Sequence, residues 1–130
     1  MEYLPQQPPR TFDVGYHQVI RLQDCGRIRM APDEQVTFLT DQGAEYDVVR
    51  KDWGFYATPS MNGRLASFGL RAVLVKSPRG KFYLMLVERG KEPAFHAYLD
   101  GERHTVASWL DTDEACAALE RRVPAAGAGA

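Results

Sequence analysis

Residues 70–88 read Leu-Arg-Ala-Val-Leu-Val-Lys-Ser-Pro-Arg-Gly-Lys-Phe-Tyr-Leu-Met-Leu-Val-Glu, and this stretch decides the fold class. Two apolar arms, Leu70 to Lys76 and Lys81 to Glu88, flank Ser77-Pro78-Arg79-Gly80. Pro at the second turn position and Gly at the fourth suit a type I turn, so the spacing predicts a β-hairpin. The arms do not alternate: Ala72–Val75 and Phe82–Val87 are nearly continuous apolar runs. Strands of that kind are covered on both faces, which places other elements on each side of this hairpin.

Working toward the N-terminus, the pattern stays at period two. Tyr16, Gln18, Ile20 and Leu22 alternate with His17, Val19 and Arg21, which reads as a strand. Asp24-Cys25-Gly26 reads as a turn and Arg27 to Met30 as the return strand, broken by Ala31-Pro32-Asp33. Gln35–Thr40 and Glu45–Lys51 flank Asp41-Gln42-Gly43-Ala44, where Gly43 can take the positive φ of a hairpin loop.

Toward the C-terminus the period changes. Pro93 stands where a first helical residue should, Phe95, Tyr98 and Leu99 share one face, and Gly101 reads as the stop. His104 to Leu110 reads as a strand. Asp111-Thr112-Asp113-Glu114 resembles a capping box with Asp111 as N-cap, opening a helix to about Arg122 that Pro124 ends.

A chain of 130 residues has room for one domain and can bury a core without staples. The boundaries expected are an extended or disordered N-terminal tail over residues 1–12, which is Pro/Gln-rich, one globular domain over 13–123, and a disordered Ala/Gly tail over 124–130. The class expected is α+β and β-dominated: about six or seven mostly antiparallel strands in a small barrel or sandwich-like sheet, then helix–strand–helix. No 20–50-residue period repeats, which excludes solenoids and propellers.

Sixteen basic against seventeen acidic residues leave a net charge of −1, with no global pull toward phosphate backbones, so nucleic acid is not an expected partner. Local sign does vary, with Arg21, Arg27 and Arg29 clustered early. No apolar run reaches the ~20 residues needed for a membrane span, and residues 1–10 lack the apolar core of a secretory signal. Cys25 and Cys116, the only cysteines, form no Cys-x-x-Cys, and the address expected is the cytoplasm. Twelve Arg against four Lys suggests a GC-rich, bacterial genome.

One segment gathers binding chemistry. Asp52 to Leu65 holds three aromatics, two glycines, a proline and several hydrogen-bonding side chains between two sheet-forming regions. Aromatic walls with a few convergent polar groups are what a small-molecule pocket requires. Arg64 suits a carboxylate or phosphate, Ser60, Asn62, Thr58 and Tyr56 suit hydroxyls, Trp53 suits stacking, and Asp52 suits orienting Arg64. The competing reading makes the aromatics a cover for the sheet, Asn62-Gly63 a turn and Arg64 a surface partner of Asp52.

Elsewhere the chemistry is sparse. Cys25 precedes Arg27, and His17 stands at the far end of the same presumed hairpin, so a nucleophilic pair needs those two to meet. His17, His96 and His104 lack the spacing of metal ligands, leaving only a site that the fold assembles from His17, His104 and a carboxylate. Phosphate-cradling glycine motifs are absent, and neither a cofactor nor a metal is expected.

Three readings follow. The first is a small cytosolic binding or accessory protein that presents Asp52, Trp53, Tyr56, Ser60, Asn62 and Arg64 to an anionic or polar small metabolite. The second is a structural or subunit-interaction protein forming a homo-oligomer or completing a partner's sheet. The third is an enzyme on the same pocket, with Tyr56 or Asp52 as acid or base and Arg64 as clamp.

Overall fold

The 70–88 hairpin is the centre of the molecule. The computed structural model describes residues 1–122, so the tail expected at 124–130 lies outside the described residues. Strand β6 (Leu70–Lys76) pairs with β7 (Phe82–Glu88) from Leu70↔Glu88 to Lys76↔Phe82 without a slip. Ser77 closes the turn: its carbonyl accepts the Gly80 N–H at 3.0 Å and its N–H donates to the Lys81 carbonyl at 2.8 Å. Gly80 has φ +78°, so the predicted type I turn ends in the positive-φ residue that lets a right-twisted hairpin close.

On the other side of β6 lies β8 (Thr105–Trp109), also antiparallel, which gives the order β7-β6-β8. Both faces of β6 are covered, as its unbroken apolar pattern requires. On one face Val73, Val75 and Val87 pack with Leu99 of α2 (Glu92–Glu102), and Phe95, Met85, Val106 and Trp109 close the edges. On the other, Leu70 and Ala72 meet Ala44, Leu65 and Leu110, with Tyr46 alongside. Leu65 comes from α1 (Arg64–Ser67), a single short turn.

A second sheet has the order β3-β4-β5, from Gln35–Leu39, Glu45–Lys51 and Gly54–Thr58. A third is the hairpin of β1 (Glu2–Val14) with β2 (Ile20–Arg29). The last helix, α3 (Asp113–Arg122), follows β8. The fold is thus α+β and β-dominated, with every strand pair antiparallel and a C-terminal helix–strand–helix. Its strands number eight among the described residues and divide among three sheets instead of closing one barrel or sandwich.

Four local expectations change. The residues expected as a solvated tail are extended but paired: Glu2 to Val14 lies along β2, with an irregularity between Pro5 and Arg10 where the prolines supply no donors. Asp24-Cys25-Gly26 is not a turn but the part of β2 opposite that irregularity, and the chain reverses instead between Val14 and Ile20. Gly26 is required there, because at φ +142° a Cβ would stand 2.5 Å from the Leu4 carbonyl oxygen. Gly101 lies inside α2, and Arg103, in the left-handed region at φ +57°, ends the helix. Thr112, not Asp111, caps α3: its Oγ1 accepts the Ala115 N–H at 3.0 Å. Asp111 is otherwise engaged, since its buried carboxylate accepts from Arg71 Nε at 2.8 Å while that guanidinium lies 3.9 Å over the Trp109 ring.

Candidate functional site

The segment from Asp52 to Arg64 is part strand, part turn. Asp52 and Trp53 form the tight link between β4 and β5, and Tyr56 stands on β5 opposite Val49. Trp53 is 68% exposed and Tyr56 is half-exposed. The Ser60 hydroxyl accepts the Arg64 N–H at 2.9 Å, Asn62 Nδ2 donates to Asp113 at 3.0 Å, and the Arg64 guanidinium lies 5.3 Å over Phe68. Asp52 and Arg64 form no ion pair. Ser60, Asn62 and Arg64 therefore gather around α1, while Asp52, Trp53 and Tyr56 belong to the β4–β5 hairpin. The side chain of Thr58 lies outside the described ones.

Alternation along β4 and β5 sends Phe55 and Arg50, register partners, to one side of the sheet. There they meet the open end of the β1–β2 hairpin across a cleft of about 360 Å³, lined also by Leu4, Arg27, Ile28, Arg29 and Met30. The volume lies within the ~300–1,000 Å³ of small-molecule sites. Three arginines and no acidic residue are among the residues that line this cleft. Arg29 is partnered by Glu2 at 2.9 Å, whereas Arg27 and Arg50 have no ion pair among the described residues. Arg50 Nη1 is buried and accepted by nothing. A buried guanidinium nitrogen without an acceptor costs free energy. A neighbouring cavity of about 420 Å³ shares Leu4 and Arg27 and extends the cleft along β1 past Pro5 to Arg10.

The sequence marks Arg27 and Arg29, with Arg21, as a charge cluster and Phe55 as one aromatic of the Asp52–Leu65 segment, but not Arg50. The signal present was Arg50 in an otherwise plausible strand, and only the pairing of β4 with β5 brings it to the same side as Phe55.

At the opposite end of the β1–β2 hairpin a smaller cavity, about 150 Å³, is lined by Tyr16, Tyr83, Met85, Tyr98, Glu102 and His104, among others. The His104 ring lies nearly parallel to Tyr83 and edge-on to Tyr16, each at 5.9 Å. The hydroxyls of Tyr16 and Tyr83 are 3.3 Å apart. Glu102, 1% exposed, accepts the backbone N–H groups of Tyr16, His17 and Gln18 at 3.0, 2.7 and 3.2 Å. The His17 N–H first, then those of Tyr16 and Gln18, hold the Glu102 carboxyl below the usual carboxylate range against burial, which pushes it up. Tyr83 is pushed up, first by its bond to Tyr16 and then by burial. Both shifts move the groups away from neutral pH, the reverse of what an acid–base pair needs. The bonds to Glu102 dock the hairpin turn at this cavity.

The remaining candidates stand apart. Cys25 is exposed on β2 while His17 lies in the turn beyond the start of that strand, so they do not form a nucleophilic pair. His104 is buried with Nδ1 unpartnered. Among the described residues no three His, Cys, Asp or Glu side chains gather as a metal set, and no helix is long and apolar enough to cross a membrane. No protein-family model, no curated protein and no solved structure matches this chain.

Proposed function

We propose that this chain is a small cytosolic binding protein for an anionic small molecule, a carboxylate or phosphate carrying an apolar body, held in the cleft between the β1–β2 hairpin and β4–β5. The observation that supports this reading is a cleft of about 360 Å³ lined by no acidic residue and by three arginines, two of which, Arg27 and Arg50, have no ion pair among the described residues. Arg50 and Arg27 take the anionic group, and Leu4, the register partner of Arg27, and Phe55, that of Arg50, take the apolar body. The two free thiols agree with a reducing compartment.

The test is a thermal-shift panel of inorganic phosphate, sugar phosphates, nucleotides and short- to medium-chain carboxylates. A ligand at ~100 times its dissociation constant adds about 2.7 kcal/mol, which raises the melting temperature of a domain this size by roughly 8–13 °C. The shift is lost in Arg50→Met and kept in Arg64→Ala. The opposite pattern returns the site to Asp52–Arg64, and a flat panel overturns the binding reading.

A further inference from the structure

The accessible surface is 9300 Å², against roughly 6,900 Å² for a compact monomer of this mass. Even if residues 123–130 count as fully exposed chain, about 900 Å², more than about 1,000 Å² of excess remains. A standard dimer covers ~800 Å² per partner. Exposed large hydrophobic side chains lie on several strands, and one strand, β7, combines them with an unpaired backbone.

Strand β7 is the outer strand of β7-β6-β8, and among the described residues no strand pairs with its far side, where the Glu88 carbonyl alone is taken, by the Lys91 N–H at 2.9 Å. It is the longest edge of its sheet, and Phe82 to Val87 contains no charge, proline or glycine. Monomeric proteins blunt such edges with those residue types, and this one does not. Phe82 and Leu84 project on the same side, 56% and 63% exposed. They lie beyond the point where Ala44, Leu65 and Tyr46 cover the sheet.

We infer that β7 is an interaction surface for a second copy of this chain, pairing antiparallel with its own equivalent across a two-fold axis at Leu84. That axis sets Leu84 against Leu84, Phe82 against Leu86 and Tyr83 against Met85 of the second copy, all apolar or aromatic pairs. An axis at Met85 would instead oppose Lys81 to Arg89, a like-charge pair, so the Leu84 register is favoured. With a net charge of −1, two copies repel little as they approach. Two three-stranded sheets then become one of six strands. This surface is independent of the arginine cleft.

Sedimentation of the full chain at tens of micromolar reads the state directly. The expected result is a dimer. Leu84→Lys and Leu84→Glu alone each raise the dimer dissociation constant at least 100-fold with an unchanged circular dichroism spectrum, and mixing the two restores the dimer, because position 84 faces itself. In a Cys25→Ser, Cys116→Ser background, Leu84→Cys cross-links under mild oxidation. A monomer up to millimolar concentration overturns the inference. So does a dimer that survives both substitutions and gives no cross-link through position 84.

Discussion

Glu102 at the end of α2 accepts the backbone N–H of His17 at 2.7 Å, joining the β1–β2 turn to the helical layer across 85 positions of chain. The same carboxylate takes the N–H groups of Tyr16 and Gln18, so three donors that a tight turn would otherwise leave for water converge on one buried anion. The reversal between the first two strands is thereby fixed to the rest of the fold.

This joint makes the hairpin acid-sensitive. A carboxyl whose folded pKa lies below its ordinary value of 4.5 contributes stability that is complete above that value and is lost as pH falls through the lower folded one. Protection from amide exchange at Tyr16, His17 and Gln18 is therefore expected to fall below about pH 4.5 before β6 and β7 lose theirs. Glu102→Gln is expected to lower the melting temperature at pH 7, to flatten this acid dependence and to expose the same three amides. Unchanged exchange in Glu102→Gln would rule out the joint.

Arg50→Met tests the cleft without any ligand. The buried Nη1 of Arg50 has no acceptor, so Met removes an unmet hydrogen-bonding group while keeping much of the apolar stem. The free protein is expected to gain about 1 kcal/mol, seen as a rise of roughly 3–5 °C in melting temperature. Destabilisation instead would make Arg50 a structural group.

Adjacent positions on α1 separate structure from surface. Leu65 is 2% exposed in the cluster that joins two sheets, and Leu65→Ala is expected to cost about 3 kcal/mol by denaturant titration. Arg64, exposed over Phe68, is expected to change stability by less than about 0.5 kcal/mol on replacement by Ala. Equal losses at the two positions would contradict the packing described for α1.

Sequence alone determined what local pattern controls. The β6–β7 hairpin follows from Ser77-Pro78-Arg79-Gly80 between apolar arms, because turn chemistry sets the register of its two neighbours. The unbroken apolar run of β6 likewise required cover on both faces, and the structure has it. The β3–β4 hairpin, the C-terminal helix–strand–helix and the α+β class were legible for the same reason.

Tertiary structure decided the rest, where partners distant in sequence compete for the same groups. Asp111 reads as a helix cap until Arg71 claims its carboxylate, leaving the cap to Thr112. The Pro/Gln-rich start reads as a tail until β2 supplies it with hydrogen-bond partners. Asp52 to Leu65 reads as a single segment, yet pairing of β5 with β4 makes Gly54–Thr58 strand and puts Tyr56 and Arg64 on different elements. Arg50 and Arg27 converge only because two hairpins lie side by side, a proximity that no local spacing encodes. Propensity and periodicity act over a few residues, whereas a binding cleft depends on which distant surfaces the fold brings together.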